Sequence, residues 1–183
     1  TALPHSFFPL KEKLEEKLRV EGLMKVFSEI EMPLIPVLAE METAGVPIDL
    51  AALARLEETI EARLSDLTSE IYKKTGEEFN LNSPKQLGDA LQRLIPQDNA
   101  KLKKTPGGQR STSAEALLLL KGQHPVIPLI LEYRDAFKIQ STYVKPFREL
   151  LSSDGRLHTT FMQTGTGTGR LSSQNPNLQN IPR

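Results

Sequence analysis

Six apolar residues, Leu53, Leu56, Ile60, Leu64, Leu67 and Ile71, recur at spacings of three and four. That spacing puts all six on one side of a single long helix. Glu57, Glu58, Glu61, Arg63, Asp66 and Glu70 fill the other faces. Asp49, just ahead of the run, is placed to cap it. A stripe this long has to be covered by a second element. The other long amphipathic stretch is 125–151, with Val126, Ile127, Ile130, Leu131, Phe137, Val144 and Phe147 available for packing. Pairing the two predicts a long antiparallel helical stalk, with residues 76–124 as a small subdomain at its tip.

The tip has its own start signals. In "NLNSPKQL", Ser83 reads as an N-cap, with Pro84 in the first helical position and Gln86 two residues on. A second helix begins at Ser111 or Ser113, with Glu115 in its first turn. Between them, Lys101, Lys103, Lys104 and Arg110 surround Pro106-Gly107-Gly108, which reads as a mobile basic loop.

Outside the stalk the grammar is less regular. Residues 1–10 read as a linker. Helical spacing begins near Lys11, Gly22 is a candidate stop, and Pro33 and Pro36 are expected to kink or restart the next helix. Gly45 is a second stop, and Pro47 holds Val46 extended. Beyond Leu151 the one strand pattern is "RLHTTFMQT", where Leu157, Thr159, Phe161 and Gln163 alternate with His158, Thr160 and Met162. The predicted fold is therefore mainly α with a short β portion, divided at 1–45, 46–151 and 152–183.

Charge is uneven along the chain. Residues 1–78 hold sixteen acidic and nine basic side chains, whereas 79–183 hold seven acidic and fourteen basic. A basic second part is suited to a polyanion. Other chemistries are poorly served. There are no cysteines, and His5, His124 and His158 are scattered, so neither thiolate nor histidine metal sites are expected. "TGTGTG" lacks the lysine and spacing of a phosphate-binding loop. No nucleophile has a base beside it, so no catalytic centre is visible. No apolar run is long enough to span a membrane, and no secretory leader is evident.

The closing stretch is more specific. "TGRLSSQNPNLQNIP", residues 168–182, closely resembles the signature of the family A DNA polymerases, TGRLSS-x-x-PNLQNIP. The resemblance extends back through "LEYRDAFKIQSTYVKPF", "KTPGGQRSTS", "FNLNSPKQL" and "FSEIEMPLIPVLAEMETAGVPID" to cover almost the whole chain. It implies that residues 46–151 are a polymerase thumb with its tip at 76–124. It further implies that 1–45 lead in from the exonuclease side toward the base of the palm, and that 152–183 begin a truncated α+β palm.

The resemblance also implies roles. Arg170 matches an arginine that reaches the minor groove at the primer-terminal base pair. Asn177, Gln179 and Asn180 match polar residues beside the primer and template strands there. In the thumb, Asn80, Asn82, Ser83, Lys104, Thr105, Ser111 and Ser113 match positions that approach the duplex backbone, as do Arg134, Lys138, Thr142 and Tyr143. Such contacts fit a protein that must hold any sequence: cations and helix N-termini for phosphates, and a minor-groove donor for acceptors that every Watson–Crick pair presents alike. Plainer readings stand beside these. Asn80, Asn82 and Ser83 suit capping, Arg134 and Lys138 suit a solvated helix face, and Tyr143 suits the helix seam. Gln140 sits where a second basic residue is common, and Arg183 is either the motif's variable residue or its later arginine.

The expected partner is a primer–template DNA duplex, with the remaining palm and fingers supplied in cis or by a second chain, in a bacterial cytoplasm near the nucleoid. Mg²⁺ is implied for the complete polymerase, not for these residues, which carry no catalytic or metal site and are expected to be inactive alone. The alternative is a polymerase-derived helical protein-interaction module, self-associating through the heptad seam, or a subunit of a split polymerase. The strands after residue 156 are expected to lack sheet partners, and so to be disordered or paired with another copy.

Overall fold

The computed structural model describes residues 4–96 and 102–182; Lys101 and Arg183, both weighed above, lie outside them. The chain is mainly helical, with two small antiparallel sheets. It divides into two compact units, one made of residues up to 48 together with 150–181, the other of 49–149.

In the 49–149 unit, α4 (Leu50–Thr75) runs antiparallel to α7 (Val126–Ile139). Asp49 caps α4 as its sequence predicts, its Oδ1 accepting from Ala52 N at 2.9 Å. Ile60, Leu64, Leu67 and Ile71 bury themselves against Val126, Ile127, Ile130 and Val144. Leu56, counted into the stripe above, stays 45 % exposed. Polar pairs flank the seam in the order an antiparallel pair requires. Arg63 meets Glu132 at 2.7 Å, Gln140 Nε2 donates to Glu61 Oε1 at 3.3 Å, and Arg148 meets Glu57 at 2.6 Å. The stripe is thus consumed within the unit. The best apolar residues of the heptad seam therefore already face α7.

The tip continues the same core. Gly76, at φ 74°, ends α4. The Tyr72 hydroxyl donates to Phe79 O at 2.6 Å, and Leu81, Leu87 and Leu91 join the cluster from the approach to and body of α5 (Pro84–Leu94). The short α6 (Ala114–Leu119) adds Ala116 and Leu117. Its cap is Ser113, which settles the choice between the two serines.

In the other unit, α1 (Pro4–Val20) occupies much of the stretch that reads as a linker. Pro4 opens it where a missing N–H costs nothing, and ion pairs such as Lys11–Glu15 at 3.6 Å support its exposed face. Gly22, at φ 70°, follows the end of α1. The chain resumes in α2 (Met24–Val26), widens into a π-turn at Phe27–Glu31, and continues as α3 (Met32–Ala44). The expected kink at Pro33 becomes this widened turn. A proline ring cannot sit against the carbonyl four residues back, and an extra residue in the turn before it moves that carbonyl away. The same solution recurs at Gln140–Val144, again two residues before a proline, Pro146, inside α8 (Lys145–Glu149).

The predicted single strand is broken in two. β1 (Val46–Pro47) pairs with β2 (Arg156–Leu157), and β3 (Thr160–Met162) pairs with β4 (Ser172–Gln174). Contrary to expectation, then, the strands after 156 have partners within the chain. His158 and Thr159, between β2 and β3, leave the ladder because their side chains are committed elsewhere: His158 Nδ1 lies 2.8 Å from Glu42 O, and Thr159 turns toward the segment after β4. Arg156 Nη1 donates to Ala44 O and Gly45 O at 3.0 and 3.1 Å, placing a cation on the C-terminus of α3.

Candidate nucleic-acid interface

At the tip, the basic segment is a hairpin, not the open loop its composition suggests. Ser111 N donates to Lys103 O at 2.9 Å, Thr105 N to Gln109 O at 2.7 Å, and Gly108 N to Thr105 O at 2.8 Å. Pro106 and Gly107 form the corner and Gly108 takes φ 79°, a tight turn followed by a left-handed residue. Both feet are tied down. Arg110 Nη1 donates to Leu102 O at 2.7 Å, while Arg134, reaching from α7, donates to the Thr112 carbonyl and, at 3.3 Å, to its hydroxyl. Lys103, Lys104 and Thr105 are left exposed on the hairpin.

The candidate thumb residues separate by what their side chains already do. Asn80, Asn82 and Ser83 build the turn into α5. Asn80 Oδ1 accepts from Asn82 N at 2.9 Å, Ser83 Oγ accepts from Gln86 N at 3.3 Å, and Asn82 Nδ2 donates to the Tyr133 hydroxyl at 3.2 Å. Burial raises the Tyr133 phenol above its ordinary pKa. Gln86 does not complete a reciprocal cap; its Oε1 accepts from Asn80 N at 2.8 Å instead. Ser111 Oγ accepts from Ser113 N at 3.3 Å, and Ser113 caps α6 at 3.2 Å.

That cap carries an acid. Hydrogen bonds from its own backbone and from the Ser113 hydroxyl hold the Glu115 carboxyl below the usual carboxylate range. The Glu115 carboxylate thus engages its own N–H, one of the donors that the start of α6 could offer an anion.

Further along, Lys138 and Thr142 are exposed on α7 and the second π-turn. Among the described residues neither Lys104 nor Lys138 takes part in an ion pair. Arg134 is half-buried, and desolvation lowers its pKa, though a guanidinium remains charged throughout the usual range. Tyr143 is buried, its ring edge-on to Phe147 at 6.0 Å. Gln140 is buried and turned to Glu61.

In the other unit, the residues of the closing motif sit on and beyond the β3–β4 hairpin. Arg170 is exposed in the connecting loop, with Gly169 beside it at φ 74°. The loop is folded on itself: Thr166 Oγ1 donates to Arg170 O at 2.7 Å. Gly165 lies against Ser172 and Met162 with no room for a Cβ. After β4, the Asn175–Pro176 peptide is cis. Asn177 Oδ1 accepts from Gln179 N at 3.0 Å and from Asn180 N at 3.3 Å. Asn177, Gln179 and Asn180 are all exposed.

The family model described as DNA polymerase family A matches residues 50–183. The chain belongs to DNA polymerase family A.

Among curated members of the family, DNA polymerase I of Deinococcus radiodurans is 48 % identical over 159 residues, 86 % of this chain and 16 % of the relative. The thermostable DNA polymerase I of Thermus aquaticus is 44 % identical over 180 residues, 94 % of this chain and 21 % of the relative. The chain thus spans about a fifth of the length of such relatives. A solved structure, the POL domain of Pol1 from M. smegmatis in complex with DNA primer-template and dNTP, superposes with a TM-score of 0.85 at 40 % identity, covering 94 % of this chain and 30 % of that one.

Within this family frame, sequence reasoning passed over three residues that shape the site. Thr159, Ser173 and Glu42 have no charge pattern or spacing that marks them as anchors. Glu42 Oε1 accepts from Phe161 N at 2.6 Å, fastening β3 to the last turn of α3. Ser173 Oγ accepts from Leu178 N at 3.0 Å. Ser173 lies inside the family signature, where its neighbours draw the eye; Thr159 and Glu42 lie outside it.

Proposed function

We propose that these residues are the primer–template-holding portion of a DNA-directed DNA polymerase acting in replication and repair. The observation that carries this is the likeness over 94 % of the chain to a family member bound to DNA primer-template. On this reading each unit contributes a DNA-facing set. In the 49–149 unit, Lys104, Thr105, Lys138 and Thr142 offer exposed groups to the phosphate backbone. Asn80, Asn82, Ser83, Ser111, Ser113, Arg134 and Tyr143 build the surface on which those groups stand, and their commitments within the fold leave them fewer donors for DNA. In the other unit, Arg170 donates to minor-groove acceptors, and Asn177, Gln179 and Asn180 present amides to the strands beside the terminal pair. Purine N3 and pyrimidine O2 occupy similar positions in every correct pair, so such donors sense pair shape without reading sequence.

Mg²⁺ belongs to the chemistry of the whole polymerase. Among the described residues no three His, Asp or Glu side chains are grouped to hold a metal ion, so no step is assigned to one here. The remaining palm and fingers, in cis or on a second chain, are the proposed protein partner. The apolar side chains left exposed on α1–α3, among them Phe7, Phe8, Leu14, Ile30 and Met41, favour such a neighbour. No helix among the described residues is long and apolar enough to cross a membrane, and a bacterial cytoplasmic, nucleoid-associated location follows from the proposed role.

The test is binding of a recessed primer–template by this chain compared with a continuous duplex of equal length. Arg170→Ala should abolish any preference for the recessed end while leaving duplex affinity largely intact. A recessed-end preference retained at the wild-type level in the variant removes Arg170 from the role.

A further inference from the structure

The β3–β4 ladder ends at the pair Thr160↔Gln174. One step beyond, Asn175 turns to φ 55°, and the backbone leaves the sheet. At that point a side chain takes over from the ladder. Thr159 is 6 % exposed, and its hydroxyl lies 3.0 Å from Gln174 O and 2.7 Å from Pro176 O, the carbonyls on either side of Asn175. A single hydroxyl proton shared between two carbonyls fixes their separation as well as their distance from β3. Ser173, equally buried, then holds Leu178 N, and Asn177 holds Gln179 N and Asn180 N. Pro176, Leu178, Gln179 and Asn180 are thus all placed by side-chain hydrogen bonds, and the chain of anchors begins at Thr159.

The geometry points to Thr159 as a positioning residue for the DNA-facing amides of Asn177, Gln179 and Asn180, acting through the Gln174 and Pro176 carbonyls. This rests on the functional reading above. Thr159 is buried and touches no DNA; it sets the angle at which the exposed amides leave the sheet. Because Asn177 Oδ1 is spent inside the segment, only its amide NH₂ is left to donate outward, and the direction of that donor depends on the anchor.

The experiment compares wild type with Thr159→Val, which keeps shape and removes the hydroxyl, and Thr159→Ser, which keeps the hydroxyl. Amide exchange is followed at Leu178, Gln179 and Asn180, with the α4–α7 amides as an internal control of folding. Binding to a recessed primer–template and to a continuous duplex is measured in parallel. The expected result for the valine variant is lost protection at 178–180, unchanged protection in α4–α7, and a preference for the recessed end reduced about tenfold, the equivalent of one lost hydrogen bond. The serine variant should restore both. Retained protection in Thr159→Val overturns the proposal, and so does lost protection with the recessed-end preference intact. A wild-type chain that binds no duplex overturns the functional reading, and with it the DNA-facing role of the anchor; the exchange arm needs no DNA and distinguishes that outcome from failure of the anchor itself.

Discussion

Arg134 is bonded to Thr112: its guanidinium donates to both the carbonyl and the hydroxyl of that residue, from half-buried ground on α7. The family resemblance presents it as a DNA contact, but its donors are directed into the foot of the basic hairpin. Arg134→Met should therefore destabilise the 49–149 unit by roughly 1–3 kcal/mol, the range for breaking a charge-assisted bond to a buried acceptor. Chemical denaturation reads this directly. The salt dependence of DNA binding, measured below the unfolding transition, should keep its slope, because no phosphate contact is lost.

Lys104 and Lys138 behave differently. Each is exposed and outside any ion pair among the described residues. Replacing either with alanine should leave stability nearly unchanged and reduce the slope of log affinity against log salt by about 0.9, one phosphate's worth of released counterion. An unaltered slope in both variants would remove the phosphate contacts from the account.

Glu115 is the acid in the first turn of α6, next to the hairpin that carries Lys103 and Lys104. Its carboxyl is held below its ordinary range by its own backbone N–H and the Ser113 hydroxyl. Its capping contribution is therefore fully present above the ordinary carboxylate pKa and fades as pH falls through the lower folded value. Glu115→Gln should strip that pH dependence from the stability of α6. It should also tighten duplex binding a fewfold at low salt, since a like charge near the phosphates is gone. Unchanged duplex binding at low salt in this variant would place the α6 N-terminus away from DNA.

Gly45 ends α3 at φ 62° and ψ 175°, a region closed to residues with a Cβ, and the His158 ring stands 2.7 Å from where that Cβ would lie. Gly45→Ala should cost about 1–3 kcal/mol. It should loosen the joint formed by Arg156, His158 and the last turn of α3, seen as faster amide exchange at Phe161, whose N–H is held by Glu42.

Much of this was legible in the sequence. The Leu53–Ile71 stripe gives α4 and calls for α7, and Asp49, Ser83 and the Ser111/Ser113 pair announce three helix starts, because both signals are local, although only the fold chooses Ser113. The β portion was harder. "RLHTTFMQT" alternates like one strand, yet His158 and Thr159 are drawn out of the ladder by Glu42, Gln174 and Pro176, partners distant in sequence. The two π-turns escaped for a similar reason: Pro33 and Pro146 signal a disturbance, but whether a helix kinks or widens depends on what surrounds it. For the candidate site, the family resemblance implied Arg134, Ser113 and Tyr143 as DNA contacts, while residue type alone suited a helix face, a cap and the helix seam. Only the folded chain shows that Thr112, the start of α6 and Phe147 already engage them.

The most direct measurement is the affinity of this chain for a recessed primer–template duplex, titrated by fluorescence anisotropy from about 50 to about 200 mM salt. The expected result is binding at low salt whose logarithm falls linearly with log salt, by about 0.9 for each phosphate neutralised, with the recessed end preferred to a continuous duplex. Absence of binding at the lowest salt, or an affinity indifferent to salt and to the primer end, would contradict a DNA-holding role.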